Sequence, residues 1–215
     1  MLRDTTKRIL DVAVSSVALV VLSPVLIVIG VVVASSSRGG AFFRQQRVGR
    51  DGTPFTMLKF RSMTTSQDTR ANAFTPGQRH RITTVGAILR KTKLDELPQL
   101  WNVLIGDMSL VGPRPEVPQW TKVYPKRWEV VLSVRPGITD PASIEYRDEE
   151  SILASAEDPD ACYRDEILPR KLDLSEAYVR NRSFLGDLAI LIRTVVAVFG
   201  RRTGPSRPIQ RQSHS

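Results

Sequence analysis

Asp95 and Glu96 are the residues of this sequence whose types and spacing best suit chemistry. They are adjacent carboxylates within the run Lys-Leu-Asp-Glu-Leu-Pro-Gln-Leu-Trp-Asn at residues 93–102. Arg90 precedes this run and Arg114 follows it. Carboxylates can bind a divalent metal ion or attack an electrophile, and neighbouring cations can hold phosphate oxygens. The combination indicates phosphate chemistry.

Asp95 is predicted to be the N-cap of a helix. Pro98 would then occupy the third helical position, where the amide that proline lacks would have no helical partner. The helix dipole and the free amides at such a position favour negative charge and bind anions. An Asp-Glu pair at a helix start is more often a simple cap than a catalytic pair, so the residues alone leave both interpretations open.

The elements that must position these residues are predicted to be helices and one small hairpin. Strands over 41–49 and 55–61 flank an Asp-Gly turn, which is a strong hairpin signal. Lys59 and Arg61 alternate along the second strand, so they either bind phosphate or form its solvated face. Helices are predicted over 83–91, 119–132, 162–184 with an interruption at Leu168-Pro169, and 186–199. The fold class is therefore α+β and mostly helical, a compact domain with surface amphipathic helices.

The segment Ile9–Ala34 is almost wholly apolar. About 20 apolar residues suffice to cross a bilayer as a helix. Basic residues flank both ends, including Lys7 and Arg8 before the segment and Arg44 after it. Because basic flanks favour the cytoplasmic side, this pattern predicts a re-entrant helix-break-helix with the break at Ser23-Pro24. A plain transmembrane helix with a tolerated proline kink is the alternative.

Composition and charge narrow the class of protein. The chain has 215 residues with 31 Lys and Arg against 22 Asp and Glu, a net charge of +9, which suits nucleic acid, an anionic membrane or phosphorylated substrates. A single cysteine excludes an internal disulfide framework and favours a reducing cytoplasm. With two histidines and one cysteine, a metal ion would be a hard cation on oxygen ligands rather than zinc. We predict a membrane segment over 1–40, a cytoplasmic catalytic domain over 41–202 and a disordered tail over 203–215.

An ordered set of motifs carries a resemblance to a known family. The motifs are Lys7–Asp11, Ser23-Pro24, Lys59–Met63, Leu94–Val103, Gly106–Pro115 and Arg135–Thr139. With these strings in this order and spacing, the sequence resembles the bacterial sugar transferases, the small monotopic phosphoglycosyl transferases, over residues 5–200. One string alone would carry little weight, but the ordered set is highly specific.

The resemblance implies transfer of a sugar 1-phosphate from a UDP-sugar to polyprenyl (undecaprenyl) phosphate, with release of UMP. It implies a bacterial inner-membrane enzyme at the cytoplasmic face that initiates membrane glycan, exopolysaccharide or O-antigen assembly. It assigns a covalent aspartyl phosphosugar to Asp95, and Mg²⁺ to Asp95 and Glu96. We further predict six substrate-binding residues, Lys59, Arg61, Arg90, Arg114, Glu116 and Arg147, and four in the membrane segment, Lys7, Arg8, Ser23 and Pro24.

Departures from the family pattern and a rival function qualify this interpretation. Lys93, Ala87 and the run 140–147 differ from what family members commonly have, so the sequence does not identify the sugar. The rival is a membrane-anchored, non-enzymatic scaffold that binds phosphate or nucleic acid. Its basic residues would be clustered and interleaved with aromatics, whereas here they are spread along the chain, so we expect no nucleic-acid partner. Formation of a homodimer is left open.

Overall fold

The structure is a computed structural model that describes residues 2–36, 39–64 and 81–200. This part of the chain is mostly helical and contains two small sheets. The helices are α1 Leu2–Ser36, α2 Thr84–Thr92, α3 Gln99–Ile105, α4 Pro118–Thr121, α5 Pro125–Val131, α6 Pro141–Glu145, α7 Glu149–Ser155, α8 Pro159–Cys162, α9 Leu168–Asn181 and α10 Phe184–Phe199. The strands are β1 Phe42–Val48, β2 Pro54–Phe60, β3 Ser109–Val111 and β4 Gly137–Thr139.

The long apolar segment forms one helix, α1, that passes through Pro24. Pro24 has no amide to donate to the carbonyl of Val20, and the Ser23 hydroxyl donates to that carbonyl instead at 2.7 Å. The predicted interruption at Ser23-Pro24 is therefore wrong as secondary structure, because this substitute hydrogen bond accompanies an unbroken helix. Within the described residues, α1 is the helix long and apolar enough to cross a membrane.

Both halves of α1 contact the same globular body. In the first half, the Arg8 guanidinium donates to the carbonyl oxygen of Val103 at 2.6 Å. In the second half, Val33 is fully buried and packs with Phe60 and Leu89. The other face of the helix exposes a continuous set of apolar side chains, namely Val17, Val20, Val21, Val25, Ile27, Val28, Val31 and Val32. One side of the helix thus contacts the body, with Asp11, Ser15 and Val33 buried there, and the opposite side is exposed.

Strands β1 and β2 form the predicted antiparallel hairpin, with Phe42 opposite Phe60 and Val48 opposite Pro54. Asp51 adopts positive φ in the connecting 3₁₀ turn, a conformation that aspartate tolerates better than most residues. The side chain of Asn102 attaches α3 to β2, since it accepts from the Leu58 amide at 3.0 Å and donates to the Thr56 carbonyl at 2.8 Å. The hairpin is therefore fixed against the helix that follows the Asp-Glu pair.

The remaining predicted elements divide into confirmed and corrected ones. The helices predicted over 83–91 and 186–199 are present as α2 and α10. The helix predicted over 119–132 is split into α4 and α5, because Pro125 starts a new helix after Tyr124, which has positive φ. The helix predicted over 162–184 ends at Asn181, and its predicted interruption at Leu168-Pro169 coincides with the change from a π-helical turn, Tyr163–Ile167, to α9. The predicted tail over 203–215 lies outside the described residues.

Candidate active site

Asp95 and Glu96 lie in a 3₁₀ turn, Leu94–Glu96, between α2 and α3. Lys93 has a φ of 59° and closes α2. An α-helix continuing through this turn would need an amide at Pro98 to bond the Leu94 carbonyl, and proline has none, so the bond comes from Leu97 instead. Helix α3 begins at Gln99 with Pro98 as its N-cap. The prediction that Asp95 is the N-cap of the helix is therefore wrong.

Glu96 is the centre of a buried ion cluster. It is 9% exposed, and its Oε1 accepts from Lys59 Nζ at 2.9 Å and from Arg114 Nη2 at 2.5 Å. Arg114 Nη1 reaches the second carboxylate oxygen at 3.3 Å, so the guanidinium binds in a bidentate manner. Burial opposes ionisation, but the charges of Arg114 and Lys59 hold the pKa of Glu96 well below its ordinary value. Glu96 is therefore an anion.

Asp95 has the opposite environment although it is the adjacent residue. It is 8% exposed, and among the described residues its Oδ1 has no hydrogen-bond partner. Burial raises the pKa of Asp95 above the ordinary aspartate value; the Lys59 charge opposes this rise and the Glu96 charge adds to it. A buried carboxylate oxygen without a partner is costly, so it is a natural contact point for an electrophile or a cation.

The loop that delivers Arg114 is fixed by the close approach of two glycines. Strands β3 and β4 pair in parallel, and the Gly137 amide donates to the Pro113 carbonyl at 2.9 Å. A Cβ on Gly137 would lie 2.1 Å from the Gly112 nitrogen, so only glycine allows this contact. Because Pro113 immediately precedes Arg114, this backbone contact helps to aim the guanidinium at Glu96.

Arg90 and α7 border the pair on another side. The Arg90 guanidinium donates to the Glu150 carboxylate at 2.7 Å, and its charge favours the ionised form of Asp95. Helix α7 was not recognised in the sequence as part of the site. Its only signal was the position of Glu149 and Glu150 just beyond the run 140–147 that departs from the family pattern.

Three predicted substrate-binding residues have other partners. The Glu116 carboxylate is 9% exposed and binds Arg47 and Tyr163, and its role as a substrate contact stays a prediction. The Arg147 guanidinium donates to the carbonyls of Ala197 and Val198 at the end of α10, so it is a helix-end contact and is not joined to the Asp-Glu pair. Arg61 donates to the Phe42 carbonyl at 3.0 Å, and its contact with phosphate stays a prediction.

Gln99 is a buried polar residue close to the Asp-Glu pair in sequence that the sequence prediction did not single out. It is 1% exposed, and among the described residues its Nε2 donor has no hydrogen-bond partner. Its signal in the sequence was its spacing of four residues from Asp95. One turn of chain therefore carries both a free buried acceptor and a free buried donor.

The Asp95 and Glu96 carboxylates offer few free oxygens to a hard metal ion. No group of three or more His, Cys, Asp or Glu side chains that could hold a metal ion occurs within residues 2–36, 39–64 and 81–200. The Oδ1 of Asp95 is free, while the Glu96 oxygens are bound by Lys59 and Arg114. Magnesium usually takes one or two protein carboxylates and completes its shell with substrate phosphates and water. The residues fit an ion bound in that way.

Comparison with known proteins places this arrangement in a family. The family described as "Bacterial sugar transferase" matches residues 2–201, which includes every residue of the site. The chain belongs to the bacterial sugar transferase family. The expectation drawn from the sequence motifs is therefore confirmed at the level of the family.

Several members of the family are similar over most of this chain. A UDP-glucose:undecaprenyl-phosphate glucose-1-phosphate transferase of Klebsiella pneumoniae is 38% identical over 90% of the chain, which spans only 40% of that relative's length. The exopolysaccharide production protein ExoY of Rhizobium meliloti is 34% identical over 89% of the chain and 84% of its own length. The uncharacterized sugar transferase EpsL of Bacillus subtilis is 36% identical over 97% of the chain and 92% of its own length. The bacterial sugar transferases thus include both proteins of this size and longer ones.

Proposed function

We propose that this bacterial sugar transferase moves a sugar 1-phosphate from a UDP-sugar to undecaprenyl phosphate and releases UMP. The observation that carries the proposal is the pairing of a buried carboxylate with a free oxygen, Asp95, and a neighbour, Glu96, that holds two cations. The relatives named as glucose-1-phosphate transferases and as an exopolysaccharide production protein support the choice of substrates.

The proposed reaction has two displacements. A carboxylate oxygen of Asp95 attacks the phosphorus that bears the sugar, a new O–P bond forms, and the bond to UMP breaks with its electron pair leaving on UMP. A phosphate oxygen of the polyprenyl acceptor then attacks the same phosphorus, and the Asp95 carboxylate leaves with its electrons. The products are a polyprenyl diphosphate sugar and the original enzyme. Splitting one displacement into two easier steps is what a nucleophilic side chain contributes.

Lys59 and Arg114 stabilise charge on the transferred group in this proposal. Phosphoryl transfer depends mainly on positioning and on neutralising the equatorial oxygens. Glu96 holds both cations at one point beside Asp95, at 2.9 Å and 2.5 Å. The guanidinium and ammonium groups are therefore already in place and can transfer hydrogen bonds from Glu96 to donor phosphate. Gln99 can donate a further hydrogen bond there through its free Nε2.

We propose Mg²⁺ as the cofactor. Asp95 would offer its free Oδ1, and Glu96 would offer an oxygen once donor phosphate takes up hydrogen bonds from Lys59 and Arg114. A bound ion would supply positive charge to the phosphate oxygens. Chelation by EDTA should stop turnover, and Mg²⁺ or Mn²⁺ should restore it better than Zn²⁺, since the ligands are oxygens. Full activity after exhaustive chelation would remove the ion from the mechanism.

We also propose that α1 lies in the cytoplasmic leaflet of the inner membrane, bends at Pro24 without being interrupted, and returns to the side from which it entered. Its bare apolar face is suited to lipid, and both of its halves contact one body, which keeps Lys7 and Arg8 beside the catalytic domain. A lipid-linked acceptor would meet the site at this boundary. The polyprenyl phosphate and the bilayer are thus the proposed partners, together with the UDP-sugar.

The decisive test uses the detergent-solubilised full chain with polyprenyl phosphate and a panel of UDP-sugars that includes UDP-glucose. We expect UMP release with at least one donor, and continuous turnover only when the acceptor is present. With donor alone, intact-mass spectrometry should find one sugar phosphate added per chain. Absence of UMP release with every donor would overturn the proposal. UMP release without an adduct would leave sugar-phosphate transfer in place and remove the aspartyl intermediate.

A further inference from the structure

Arg114 sits in a short loop, Gly112–Val117, that has no regular secondary structure of its own between β3 and α4. Its guanidinium must nevertheless meet the Glu96 carboxylate with bidentate geometry. Such a loop is held in place only by contacts of its neighbouring residues. The first of these contacts, between Gly112 and Gly137, secures the loop before Arg114. The second, at Glu116, lies two residues after it.

Glu116 is surrounded by donors from three separate elements. Its Oε1 accepts from Arg47 of β1 at 3.2 Å and from the Val117 amide at 2.8 Å. Its Oε2 accepts from the Tyr163 hydroxyl at 2.5 Å, and the Lys171 ammonium of α9 lies 3.9 Å away. Both carboxylate oxygens are therefore already used inside the protein. In this arrangement the contacts of Glu116 hold the loop.

The backbone around Glu116 is held by the same elements. The Val48 amide of β1 donates to the Glu116 carbonyl at 2.9 Å, and the Arg47 guanidinium donates to the Pro115 carbonyl at 3.1 Å. The Arg47 guanidinium thus donates to a main-chain oxygen and to a side-chain oxygen of the loop. Pro115, which is buried, is the single residue between Arg114 and Glu116. A shift of the Glu116 carboxylate would consequently be passed to the Arg114 backbone.

Tyr163 is presented to Glu116 by an unusual piece of backbone. It opens the π-helical turn Tyr163–Ile167, and such turns are rare and often found at functional sites. The ring is 6% exposed and packs against Trp120, with ring centroids 4.9 Å apart. The Lys171 ammonium donates to the Tyr163 hydroxyl at 3.1 Å and to the Glu149 carboxylate of α7 at 3.0 Å. The hydroxyl is thereby oriented toward Glu116.

We infer that Glu116, Tyr163 and Lys171 form a positioning cluster that sets the place of Arg114 in the active site. The cluster touches no reacting atom, and it acts on the transfer only through Arg114. It also links the site to α7, α9 and the hairpin, which are distant from Asp95 in sequence. The inference rests on the proposed function, because Arg114 is assumed to bind the transferred phosphate.

A double-mutant cycle distinguishes an effect of Tyr163 on the position of Arg114 from a general effect on the stability of the protein. Tyr163→Phe removes one hydroxyl and keeps the ring, and we expect kcat/KM for UMP release to fall about tenfold, since small misplacements of catalytic groups are costly. Arg114→Lys keeps the positive charge but loses the bidentate geometry. In the Arg114→Lys background, Tyr163→Phe should change the rate less than about twofold, because the group that it positions has gone.

The matched control is Tyr178→Phe. Tyr178 is also buried and donates to the Asp187 carboxylate at 2.9 Å, but its hydroxyl lies 3.1 Å from the Val111 carbonyl next to the Arg114 loop, so the variant is paired with Ser183→Ala. Ser183→Ala removes the N-cap of α10, which accepts from the Gly186 amide at 3.0 Å, and we expect it to lower the melting temperature by a few degrees and to leave the rate near that of the parent in both backgrounds. Equal rate factors for Tyr163→Phe in the two backgrounds would overturn the positioning inference.

The outcomes distinguish this inference from the proposed function. If the parent chain releases no UMP and forms no adduct with any donor, the proposed function fails. If the parent chain is active and Tyr163→Phe is as fast as the parent, only the positioning inference fails. A rate that is higher for Glu116→Asp than for Glu116→Gln would support the inference further, because aspartate retains the charge that attracts Arg47 and Lys171 and glutamine does not.

Discussion

At the scale of single residues, the site depends on two adjacent carboxylates with different surroundings. Glu96 is neutralised by Lys59 and Arg114, whereas Asp95 is buried with a free oxygen. The difference comes from the 3₁₀ turn, in which successive side chains point about 120° apart. Burial of an Oδ1 without a partner is energetically costly at Asp95 and suits its proposed role as the nucleophile, whereas Glu96 holds Lys59 and Arg114 in place. Predictions follow for Asp95, which has a free oxygen, and for Glu116, a second buried carboxylate that is fully paired.

Asp95→Asn should remove activity and spare the fold. Loss of a nucleophile should lower kcat by many powers of ten, and no sugar-phosphate adduct should form. Because the substitution also removes a buried charge without a full set of partners, the melting temperature should stay equal or rise. Intact-mass spectrometry and thermal unfolding check the two parts. The control is Glu129→Gln, at an exposed carboxylate on α5, which should change neither. Near-parental turnover in Asp95→Asn would refute the assignment.

Glu116 should make stability sensitive to acid. Burial opposes its ionisation, but Lys171, Arg47 and the Tyr163 hydrogen bond hold the pKa of Glu116 below its ordinary value, while Glu149 shares Lys171. Since its folded pKa is the lower one, Glu116 stabilises the protein fully above the unfolded glutamate pKa of about 4.3. That stabilisation is lost as the pH falls through the folded pKa.

Denaturant unfolding in detergent at a series of pH values tests this prediction. At pH 7, Glu116→Gln should lower the unfolding free energy by about 3 kcal/mol, the low end for a broken buried ion pair. The difference between parent and variant should shrink as the pH falls below about 4.3. A difference that stays constant down to the acid unfolding of the parent would contradict the role of the Glu116 charge.

At the scale of elements, the site is made where short pieces of chain meet. Hairpin strand β2 supplies Lys59, the turn before α3 supplies Asp95 and Glu96, and the loop after β3 supplies Arg114. Two contacts hold these pieces together, the Asn102 side chain on β2 and the glycine pair between β3 and β4. Neither contact touches the reacting groups, so each can be disturbed without altering the chemistry directly.

Gly137→Ala should damage both folding and activity. Its new Cβ would lie 2.1 Å from the Gly112 nitrogen, so the backbone that leads to Arg114 must move. We expect destabilisation of about 1–3 kcal/mol, as for overpacked sites, and a fall in kcat at a temperature where the variant is still folded. The control is Gly30→Ala in α1, where a Cβ would have its nearest neighbour at 3.8 Å and alanine favours the helix. Equal melting temperatures and rates for the two variants would argue against this role of the glycine pair.

At the scale of the whole molecule, the contacts of α1 with the rest of the protein limit how this apolar helix could lie in a membrane. Its first half is tied to the body by polar contacts: Lys7 pairs with Asp187 at 2.7 Å, and the buried Asp11 accepts from the Ser109 hydroxyl at 2.8 Å. Its second half is held by apolar packing around Val33. A straight passage through a bilayer would require the first half to leave these contacts. The proposed position of α1 in a membrane would therefore leave both of its ends on one side.

Accessibility labelling tests this topology. Single cysteines at Thr5→Cys and Ser36→Cys, both in a Cys162→Ser background, should react with an impermeant reagent only from the cytoplasmic side of sealed vesicles. Both positions are exposed, so a lack of reaction cannot be due to burial in the protein. A third cysteine at Val21→Cys, on the bare apolar face, is the control for a position within lipid and should react from neither side. Labelling of residue 5 from the outer side would establish an ordinary transmembrane helix.

The sequence by itself determined the family, the mostly helical class, the hairpin and the apolar helix, and it singled out Asp95, Glu96, Lys59 and Arg114 as candidate site residues. These follow from signals that can be read along the sequence, namely the Asp-Gly turn, the long apolar run and the order and spacing of the motifs. Only the tertiary structure decided that Arg114 pairs with Glu96, that Glu116 pairs inside the protein and that Arg147 caps α10. The physical reason is that charge partners are chosen by distance in space. Residues 96, 114, 163 and 171 become neighbours only after the strands, the loop and α9 have packed together.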